Sequence, residues 1–395
     1  MEKKSVTFII FGITGDLARQ KIIPAFFELH AKKLFPCKWE VIGFLRKNWK
    51  RSDFDKFITE TIDAFAKTES KKTTQEFLQH FDFFVGDIND TASHEGLSRL
   101  LQKRDSESGS KARKMFFLSV PPSFYKTTIA YIRDCHFMSG EDRILIEKPF
   151  GRSLKEAQEL NVLLSGFVTE NQVLRIDHYT AKDAMQNIAS AVLPQNKKLL
   201  GIDARIIESQ TVGKRGAFYD SLGAFLDVGQ NHTLQMLATV MGKITGETKL
   251  QIFRKLYSAK EVVIAQYDSY LKEAGVNPQS QTETYFKARF VSKGKTFANV
   301  PLFLEAGKGF RKSDAEVVIN YQNLPPIRFD FNQRKEGSLT SHAKLLLSAV
   351  SGDSSLFVSY EEAREEWRIA EEVIQTLRRA PLKLYAKGKQ SHKYL

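Results

Sequence analysis

The sequence predicts two domains in succession: an α/β domain with a mostly parallel sheet, then an α+β domain with a largely antiparallel sheet. In the first part, short apolar segments alternate with helical patterns, a rhythm typical of parallel βαβ units. Further along, segments of alternating polar and apolar residues predominate, which favour antiparallel strands. The 395 residues exceed what a single core usually spans, and 42% hydrophobic residues suffice for two cores.

The first strand and the turn after it predict that the first domain binds a dinucleotide. Val6 to Phe11 is continuously apolar, as a strand buried on both faces requires, and it ends in the turn Gly12 to Ala18, which a helical pattern follows. Backbone N–H groups and the helix dipole at such a turn favour an anionic phosphate, and a small final residue lets the helix pack closely on the sheet. We therefore predict a Rossmann-like dinucleotide-binding domain rather than a merely tight turn. The predicted cofactor contacts here are Gly12, Thr14, Gly15, Asp16 and Leu17.

The end of the second strand indicates which dinucleotide binds. Trp39 to Phe44 has the strand pattern, and Arg46 and Lys47 follow it without an acidic residue. Asp or Glu near this strand end usually holds the ribose 2′-hydroxyl of NAD, whereas a cation suits the 2′-phosphate of NADP. The two cations therefore indicate NADP, with NAD still possible. The alternative interpretation is a solvated basic loop.

Later strand patterns place further residues at the cofactor. They cover Phe81 to Val85, Met115 to Val120 and Arg143 to Ile146. The polar stretch Arg104 to Lys114 predicts an exposed loop between elements. In an open α/β sheet the carboxyl ends of the strands form the ligand crevice, so Pro121, Glu147 and Lys148 are predicted to border the nicotinamide.

Two polar clusters predict the reacting part of the site. Arg175 to Tyr179, followed by Lys182, supplies a carboxylate together with cations and donors for a phosphate. Asp227 to His232 interrupts the apolar run Leu222 to Met236, where a structural helix would carry hydrophobic residues. We interpret His232 as the candidate general base. The alternative for a single histidine on a helix is a buried structural residue.

The predicted domain boundary lies where the last strand of the first domain enters the cluster at Arg175 to Tyr179. We assign residues 1–176 to an NADP-binding domain and residues 177–395 to a substrate-binding and catalytic α+β domain. Strand patterns in the second domain cover Ala204 to Thr211, Thr284 to Val291, Leu302 to Glu305 and Val317 to Tyr321, and helical patterns cover Leu222 to Met241 and Glu361 to Leu377.

These motifs, in this order, resemble the glucose-6-phosphate dehydrogenase family over most of the chain. The matching segments are Gly12 to Ala18 with Lys21 and Pro24, Glu147 to Gly151, Arg175 to Tyr179 with Lys182, Gln186 and Asn187, Asp227 to His232, and Glu362 to Ile369. Five motifs in the right order are far more specific than any one of them. The resemblance implies an enzyme of the pentose phosphate pathway that oxidises β-D-glucose 6-phosphate at C1 to 6-phosphoglucono-δ-lactone by hydride transfer to NADP.

The resemblance also implies a role for each matched residue. His232 would take the proton from the C1 hydroxyl, and Asp177 would hold and polarise its imidazole. His178, Tyr179 and Lys182 would hold the sugar phosphate. The groups in contact with the sugar or its phosphate would be Lys21, Lys148, Glu208, Asp227 and Lys308, and Thr14 and Arg46 would line the cofactor side. The histidine spacing predicts no metal site.

The chain departs from the family pattern in its second half. Glu305 replaces a usual basic or small polar residue. Ser313 stands where a second substrate-binding cation is expected, so Arg311 or Lys312 would have to substitute. Between Phe331 and the late helical segment Glu362 to Ile369 the sequence is much shorter than in typical members. The exact sugar phosphate and the oligomeric state, for which a homodimer is possible, therefore stay open.

Composition constrains the partners and the compartment. The net charge of 59 − 46 = +13 includes a basic cluster at Lys383 to Lys393, which could bind nucleic acid, but no zinc-finger spacing or RNP-like strand accompanies it. Steering of an anionic cofactor and substrate gives the charge another use, and a solvated basic surface is a third interpretation. With only Cys37 and Cys135, and no signal-like or membrane-length apolar stretch, we expect a cytoplasmic protein without disulfides or membrane segments.

Two other functions remain open from the sequence. One is a related Rossmann oxidoreductase acting on another sugar phosphate, against which the pairing of Asp177 and His178 with a distant His232 argues. The other is a non-catalytic NADP-binding regulator. Retention of Lys148 and Lys182 beside the proton-transfer pair argues against a regulator, because a module without catalysis has no need for that pair.

Overall fold

The computed structural model describes residues 5–66 and 70–390. Contacts divide the chain into two compact units, one comprising Met1–Ala181 with Leu339–Tyr360 and the other Lys182–Ser338 with Glu361–Leu395. The sequence predicted one division after residue 176, and its pattern did not indicate the return of 339–360 to the first unit. The predicted absence of a signal-like stretch in residues 1–4, and the end of the basic cluster that reaches Lys393, lie outside the described residues.

Strands and helices are numbered in chain order. The strands are β1 Val6–Phe11, β2 Trp39–Leu45, β3 Phe81–Val85, β4 Arg113–Leu118, β5 Arg143–Glu147, β6 Val173–Ile176, β7 Leu199–Ile207, β8 Leu256–Tyr267, β9 Tyr285–Ser292, β10 Leu302–Gly307, β11 Asp314–Tyr321, β12 Ile327–Asp330 and β13 Leu382–Tyr385. The α-helices are α1 Ile23–Ala31, α2 Arg51–Phe65, α3 Lys71–Leu78, α4 Thr91–Glu107, α5 Tyr125–Asp134, α6 Leu154–Ser165, α7 Asp183–Ser190, α8 Gly216–Asp220, α9 Leu234–Thr245, α10 Lys249–Lys255, α11 Ser341–Ser351 and α12 Tyr360–Leu377. Two π-helices cover Ala18–Ile22 and Phe225–Thr233.

The first unit is built on a six-stranded parallel sheet in the order β3-β2-β1-β4-β5-β6. Phe11 is level with Phe44 of β2 and with Leu118 of β4, so the three central strands end at the same edge. The predicted parallel sheet is confirmed. β4 begins and ends two residues earlier than predicted, because the Ser119 N–H donates to the carbonyl oxygens of Phe11 and Phe117 in a turn that leaves the sheet.

The segment that returns to the first unit completes its core. Ala343, Leu346 and Val350 lie on one face of α11 and are buried with the apolar residues of β1 and α1. Thr340 caps the helix by accepting the Ala343 N–H. Glu28 of α1 in turn accepts the Thr340 N–H at 3.0 Å and its hydroxyl at 2.7 Å. These contacts explain why this segment packs with the first unit although it follows the second in the sequence.

The exposed loop predicted for Arg104 to Lys114 is present only in the middle of the stretch, at residues 108–112, between two regular elements. α4 continues through its first residues, and β4 begins before its last. Arg104 donates to Glu40 at 2.5 Å and to Asp82, while the buried Lys114 donates to Asp105 at 2.6 Å. Ion pairs with strands distant in sequence thus give two of these charges partners that local polarity does not reveal.

The second unit contains a seven-stranded sheet in the order β12-β11-β7-β10-β9-β8-β13. Four of its strand pairs are antiparallel, and the pairs β10–β7 and β13–β8 are parallel. The predicted largely antiparallel sheet is therefore confirmed. The helix predicted from Leu222 to Met241 differs in kind, because its first part is the π-helix Phe225–Thr233 and only its second part, α9, is an α-helix.

Two negative findings concern the part of the chain that the structure describes. None of its helices combines the length and the apolar character needed to cross a bilayer. Cys37 and Cys135 are both half-buried and form no disulfide.

Candidate active site

The turn after β1 is shaped by a close approach of two backbone segments. Gly12 has φ +78°, and a Cβ on it would lie 2.3 Å from the carbonyl oxygen of Ser119. Only glycine therefore fits this position without displacing the chain. The Gly15 N–H donates to the Gly12 carbonyl at 2.9 Å, and Ala18, at the start of the π-helix Ala18–Ile22, is fully buried. This is the tight turn with close helix-to-sheet packing that a phosphate-binding strand-to-helix junction requires.

The predicted cations lie at the end of β2. Arg46 and Lys47 are both exposed, and the Lys47 ammonium lies 5.6 Å from the centre of the Trp49 ring. Because β2 neighbours β1 in the parallel sheet, both residues follow the carboxyl edge at which the glycine turn lies. Thr14 and Asp16 are on the turn itself and are partly or fully exposed, so their side chains are accessible to a ligand.

Glu147 ends β5 and lies beside a histidine from α11. Its Oε1 is 3.7 Å from Nε2 of His342, and both side chains are about one-tenth exposed. The backbone of Glu147 is fixed by the Tyr125 hydroxyl, which donates to its carbonyl at 2.8 Å. Lys148 follows and is half-buried. Sequence reasoning did not identify His342, which is distant in the chain and belongs to none of the motifs.

The cluster after β6 forms a tight turn. Asp177 is 1% exposed, and its Oδ1 accepts the Tyr179 N–H at 2.9 Å. Its backbone carbonyl accepts the Thr180 hydroxyl at 2.8 Å. The ring of His178 packs on that of His342, with 5.6 Å between centroids and an interplanar angle of 21°. The turn therefore fixes a buried carboxylate next to two aromatic side chains with polar ends, and His342 supports one of them.

In the second unit, the other polar cluster lies on the π-helix Phe225–Thr233. Asp227 and His232 are 7% and 4% exposed, and they are separated by five positions. Hydrogen bonds from residue i to i+5 in a π-helix bring residues at this spacing above one another, whereas in an α-helix they would point about 140° apart. Gly229 permits the helix to lie against β9, because a Cβ there would be 2.5 Å from the Phe286 ring.

Lys308, just after β10, contacts two carboxylates of the second unit. Its ammonium pairs with Glu208 and lies 3.3 Å from Asp227. It also lies 5.5 Å from the centre of the buried Tyr219 ring. Burial lowers the pKa of Lys308, but the carboxylates of Asp227 and Glu208 outweigh burial and hold it above its ordinary value. Arg215, which sequence reasoning also missed, lies 3.4 Å from Asp227.

The remaining predicted residues have more separate environments. Lys182 precedes α7, and its ammonium donates to the Phe331 carbonyl at 3.0 Å. Lys21 is exposed on the first π-helix, and Pro121 is exposed after β4. The structure thus brings Glu208, Asp227 and Lys308 into direct contact within the second unit, whereas the predicted residues of the first unit occupy the ends of neighbouring strands.

The residues that depart from the family pattern differ in burial and in hydrogen bonding. Ser313 accepts the Ser209 N–H at 2.9 Å and is exposed. Glu305 is buried and accepts the Tyr285 hydroxyl at 2.7 Å. Arg311 and Lys312, the predicted substitutes for a missing cation, are both exposed. Arg215 is a further cation, and it lies near Asp227.

A parallel sheet in the order 3-2-1-4-5-6, with a glycine turn at the end of its first strand, defines a Rossmann-type dinucleotide-binding protein. The second unit adds a buried aspartate and a buried histidine on one π-helix, and side chains of these types can accept a proton in an oxidoreductase.

Comparison with known proteins identifies the family. The family model described as "Glucose-6-phosphate dehydrogenase, NAD binding domain" matches residues 9–187, and "Glucose-6-phosphate dehydrogenase, C-terminal domain" matches residues 195–339. Glucose-6-phosphate 1-dehydrogenase of Streptococcus pneumoniae is 30% identical over 82% of this chain and 72% of its own length. The enzyme of the same name from Helicobacter pylori is 26% identical over 96% of this chain and 95% of its own. The chain belongs to the glucose-6-phosphate dehydrogenase family.

A solved structure supports the same fold. A glucose-6-phosphate dehydrogenase in complex with its substrate glucose-6-phosphate superimposes with a TM-score of 0.88 at 21% identity, covering 100% of this chain and 96% of that one. The predicted shortening is thus relative: the chain spans nearly all of the Helicobacter pylori relative but 72% of the Streptococcus pneumoniae one. The family assignment also establishes a nicotinamide dinucleotide as the cofactor class of the first unit.

Proposed function

We propose that this chain is a glucose-6-phosphate 1-dehydrogenase of the pentose phosphate pathway. It oxidises β-D-glucose 6-phosphate at C1 to 6-phosphoglucono-δ-lactone and reduces NADP. One observation carries the proposal: in a chain of this family, Asp227 and His232 are buried on one π-helix, and Asp227 pairs with the buried Lys308. A purely structural helix would have no reason to bury these groups together.

The cofactor fits the first unit. Because Gly12 has no Cβ, the turn can pack against the Ser119 carbonyl. Gly15, Asp16 and Leu17 continue the turn into the following helix, whose first N–H groups would bind a pyrophosphate. Arg46, supported by Lys47, would bind the 2′-phosphate, which favours NADP over NAD. Glu147, Lys148 and Pro121 would border the nicotinamide. When bound, the nicotinamide accepts the hydride that leaves C1 of the sugar.

His232 serves as the general base. It removes the proton of the C1 hydroxyl as the carbonyl forms, so the imidazole takes up a positive charge during the reaction. Asp177 is buried and accepts the Tyr179 N–H, so the position of its carboxyl group is fixed, and we assign to it the stabilisation of the imidazolium. A general base of this kind accounts for about 10²–10⁴-fold of the rate.

The substrate is held by its phosphate and hydroxyl groups. His178, Tyr179 and Lys182 supply the donors and the positive charge for the phosphate. Glu208, Asp227 and Lys308 form a connected set that can accept hydrogen bonds from sugar hydroxyls and donate one in return. Lys21 and Lys148 complete the proposed contacts. The presence of Ser313, and of Arg215 near Asp227, makes another hexose phosphate the second candidate substrate.

The test is a substrate and cofactor panel. Purified protein is mixed with NADP or NAD and with glucose 6-phosphate, fructose 6-phosphate, mannose 6-phosphate or unphosphorylated glucose, and reduced nicotinamide is followed by its absorbance. The proposal predicts turnover that favours glucose 6-phosphate and NADP. Turnover with a different hexose phosphate supports the second candidate, and intact NADP binding without any turnover supports a non-catalytic regulator.

Two further properties belong to the proposal. A cytoplasmic location is consistent with the two cysteines that form no disulfide. A homodimer is proposed as the assembly, and the molar mass measured by light scattering during gel filtration tests it. A monomeric mass at micromolar protein would contradict the dimer and leave the catalytic proposal intact.

A further inference from the structure

Glu283 lies at the junction between β9 and the π-helix Phe225–Thr233, outside every motif in the sequence. Its Oε1 accepts the N–H of Phe225, the first residue of the π-helix, at 3.1 Å. Its backbone carbonyl accepts the Ala224 N–H at 3.1 Å and lies 3.5 Å from the Tyr219 hydroxyl. The first N–H groups of a helix have no partners within that helix, so a single residue here satisfies two donors at its start.

The surroundings of Glu283 leave little room for its carboxylate to move. Gly223, with φ +74°, lies directly against it, and a Cβ on Gly223 would be 2.4 Å from Oε1. Two residues after Glu283, β9 begins, and its residue Phe286 packs against Gly229 in the middle of the π-helix. The π-helix is thus attached to the end of β9 at its first residue and at its centre.

What this attachment controls follows from the residues that the π-helix carries. Asp227 is two positions beyond Phe225 and pairs with Lys308, and His232 lies near the other end of the same helix. A rotation of the first turn would move the Asp227 carboxylate relative to Lys308, which directly follows β10, the strand paired with β9. Displacements of about 1 Å in positioning groups can lower rates by about 10²-fold.

We infer that Glu283 is a positioning residue, whose carboxylate fixes the first turn of the π-helix and so sets the positions of Asp227 and His232. It touches neither substrate nor cofactor and acts through the helix. The inference rests on the proposed function, because it assigns Glu283 to the orientation of the base proposed there. It adds a residue, and a second ionisation, to the groups that determine turnover.

The second ionisation follows from the burial of the carboxyl. Burial raises the pKa of Glu283 to about 7, although the N–H groups of Phe225 and Ala224 oppose the rise. The titratable groups that face it are Tyr219 of α8 and Tyr270, and burial raises the pKa of both above the ordinary value, so they stay neutral near pH 7. The carboxylate therefore gains its charge, and a stronger bond to the Phe225 N–H, as the pH rises through about 7.

The decisive variant is Glu283→Gln, which keeps the size and an acceptor oxygen but cannot ionise. At pH 8 we expect kcat to fall roughly 10- to 100-fold, with KM for glucose 6-phosphate within about twofold. On the acid side, log kcat of the unsubstituted protein should rise with a slope approaching 2, because the base and Glu283 both lose a proton, and the slope of Glu283→Gln should approach 1. Glu283→Asp, which still ionises, should retain the steeper slope with reduced kcat.

Glu273→Gln is the matched control. Glu273 accepts the Tyr267 hydroxyl at 2.9 Å and makes no contact with the π-helix through that bond, so its kcat and pH profile should match those of the unsubstituted protein. An unchanged kcat and slope in Glu283→Gln would overturn the inference, as would an equal loss in Glu273→Gln. Absence of turnover in the unsubstituted protein is a different result and contradicts the proposed function itself.

Stability supplies a readout that does not depend on activity. The pKa of Glu283 is higher in the folded chain than in the unfolded one, so the protonated carboxyl stabilises the folded state. This contribution to the free energy of unfolding is fully present below about pH 4.5 and is lost as the pH rises to about 7. The thermal midpoint of Glu283→Gln relative to the unsubstituted protein should therefore increase between pH 5 and pH 7.5. A constant difference would show that Glu283 does not titrate in this range, and it would overturn the pH dependence.

Discussion

The glycine turn of the first unit and the π-helix of the second unit offer different kinds of groups to a ligand. The turn presents backbone groups, and its shape depends on the close approach of Gly12 to the Ser119 carbonyl. The π-helix presents side chains: it lies against β9 through Gly229 and carries Asp227, whose carboxylate pairs with the buried Lys308. Damage to the turn should therefore change cofactor affinity, whereas damage to the π-helix should change turnover and stability.

The largest effect is expected for His232→Asn. Asparagine preserves a polar group of similar size but cannot accept the proton, so kcat should fall about 10²–10⁴-fold. The dissociation constant for NADP, measured by calorimetry, should stay within about twofold, because the cofactor contacts belong to the other unit. A variant that raises only KM would contradict the assignment of the base.

Lys308→Met should have the largest effect on stability. The side chains of Lys308 and Asp227 are each 9% exposed, and removal of one buried partner typically lowers the free energy of unfolding by about 3–5 kcal/mol. Urea denaturation at pH 7.5 measures this change. Arg215→Gln is the control, because its side chain is 57% exposed and its pair with Asp227 should contribute at most about 1 kcal/mol. Similar losses in both variants would remove the distinction between the buried and the exposed pair.

Arg46→Gln should change the choice of cofactor. Loss of a charge-assisted contact to the 2′-phosphate should weaken NADP binding by about 1.5–3 kcal/mol and leave NAD binding unchanged. Lys56→Gln is a suitable control. Lys56 lies on α2 with its side chain 74% exposed, and its substitution also removes one positive charge from the first unit. Equal losses for NADP and NAD in Arg46→Gln would place the arginine outside the 2′-phosphate site.

Gly12→Ala should have the smallest of these effects, about 1–3 kcal/mol on the binding of either dinucleotide, because the turn must open to accept a Cβ. Gly109→Ala is the control that distinguishes a steric clash of the added Cβ from the strain of a positive φ. Gly109 also has a positive φ, of +64°, but nothing lies within 4 Å of its added Cβ. Dissociation constants for NADP and NAD measured by calorimetry should therefore change in Gly12→Ala and stay constant in Gly109→Ala.

The first unit could be predicted from the sequence to a large extent because its signals are local. Val6 to Phe11 is continuously apolar, and the glycine turn follows it directly, so the bounds of β1 and the parallel sheet are confirmed. The pairing of 339–360 with this unit could not be predicted. It depends on Thr340 meeting Glu28, which is more than three hundred positions away in the chain.

The charge network of the second unit could not be derived from local patterns. The apolar spacing from Leu222 to Met236 fits an ordinary helix, and the wider π turn depends on contacts of Gly229 with Phe286 and of Phe225 with Glu283, 58 positions later. Only the resemblance to the family indicated Glu208 and Lys308. Their roles, like that of His232, remain predictions until the variants are measured.

The central claim is that the chain removes a hydride from C1 of glucose 6-phosphate and transfers it to NADP. Incubation with glucose 6-phosphate deuterated at C1, followed by mass spectrometry of the reduced cofactor, tests this claim most directly. The account predicts reduced NADP that is heavier by one mass unit, with a slower rate if hydride transfer limits turnover. Reduced NADP without deuterium, or no reduced NADP from this sugar, would contradict the claim.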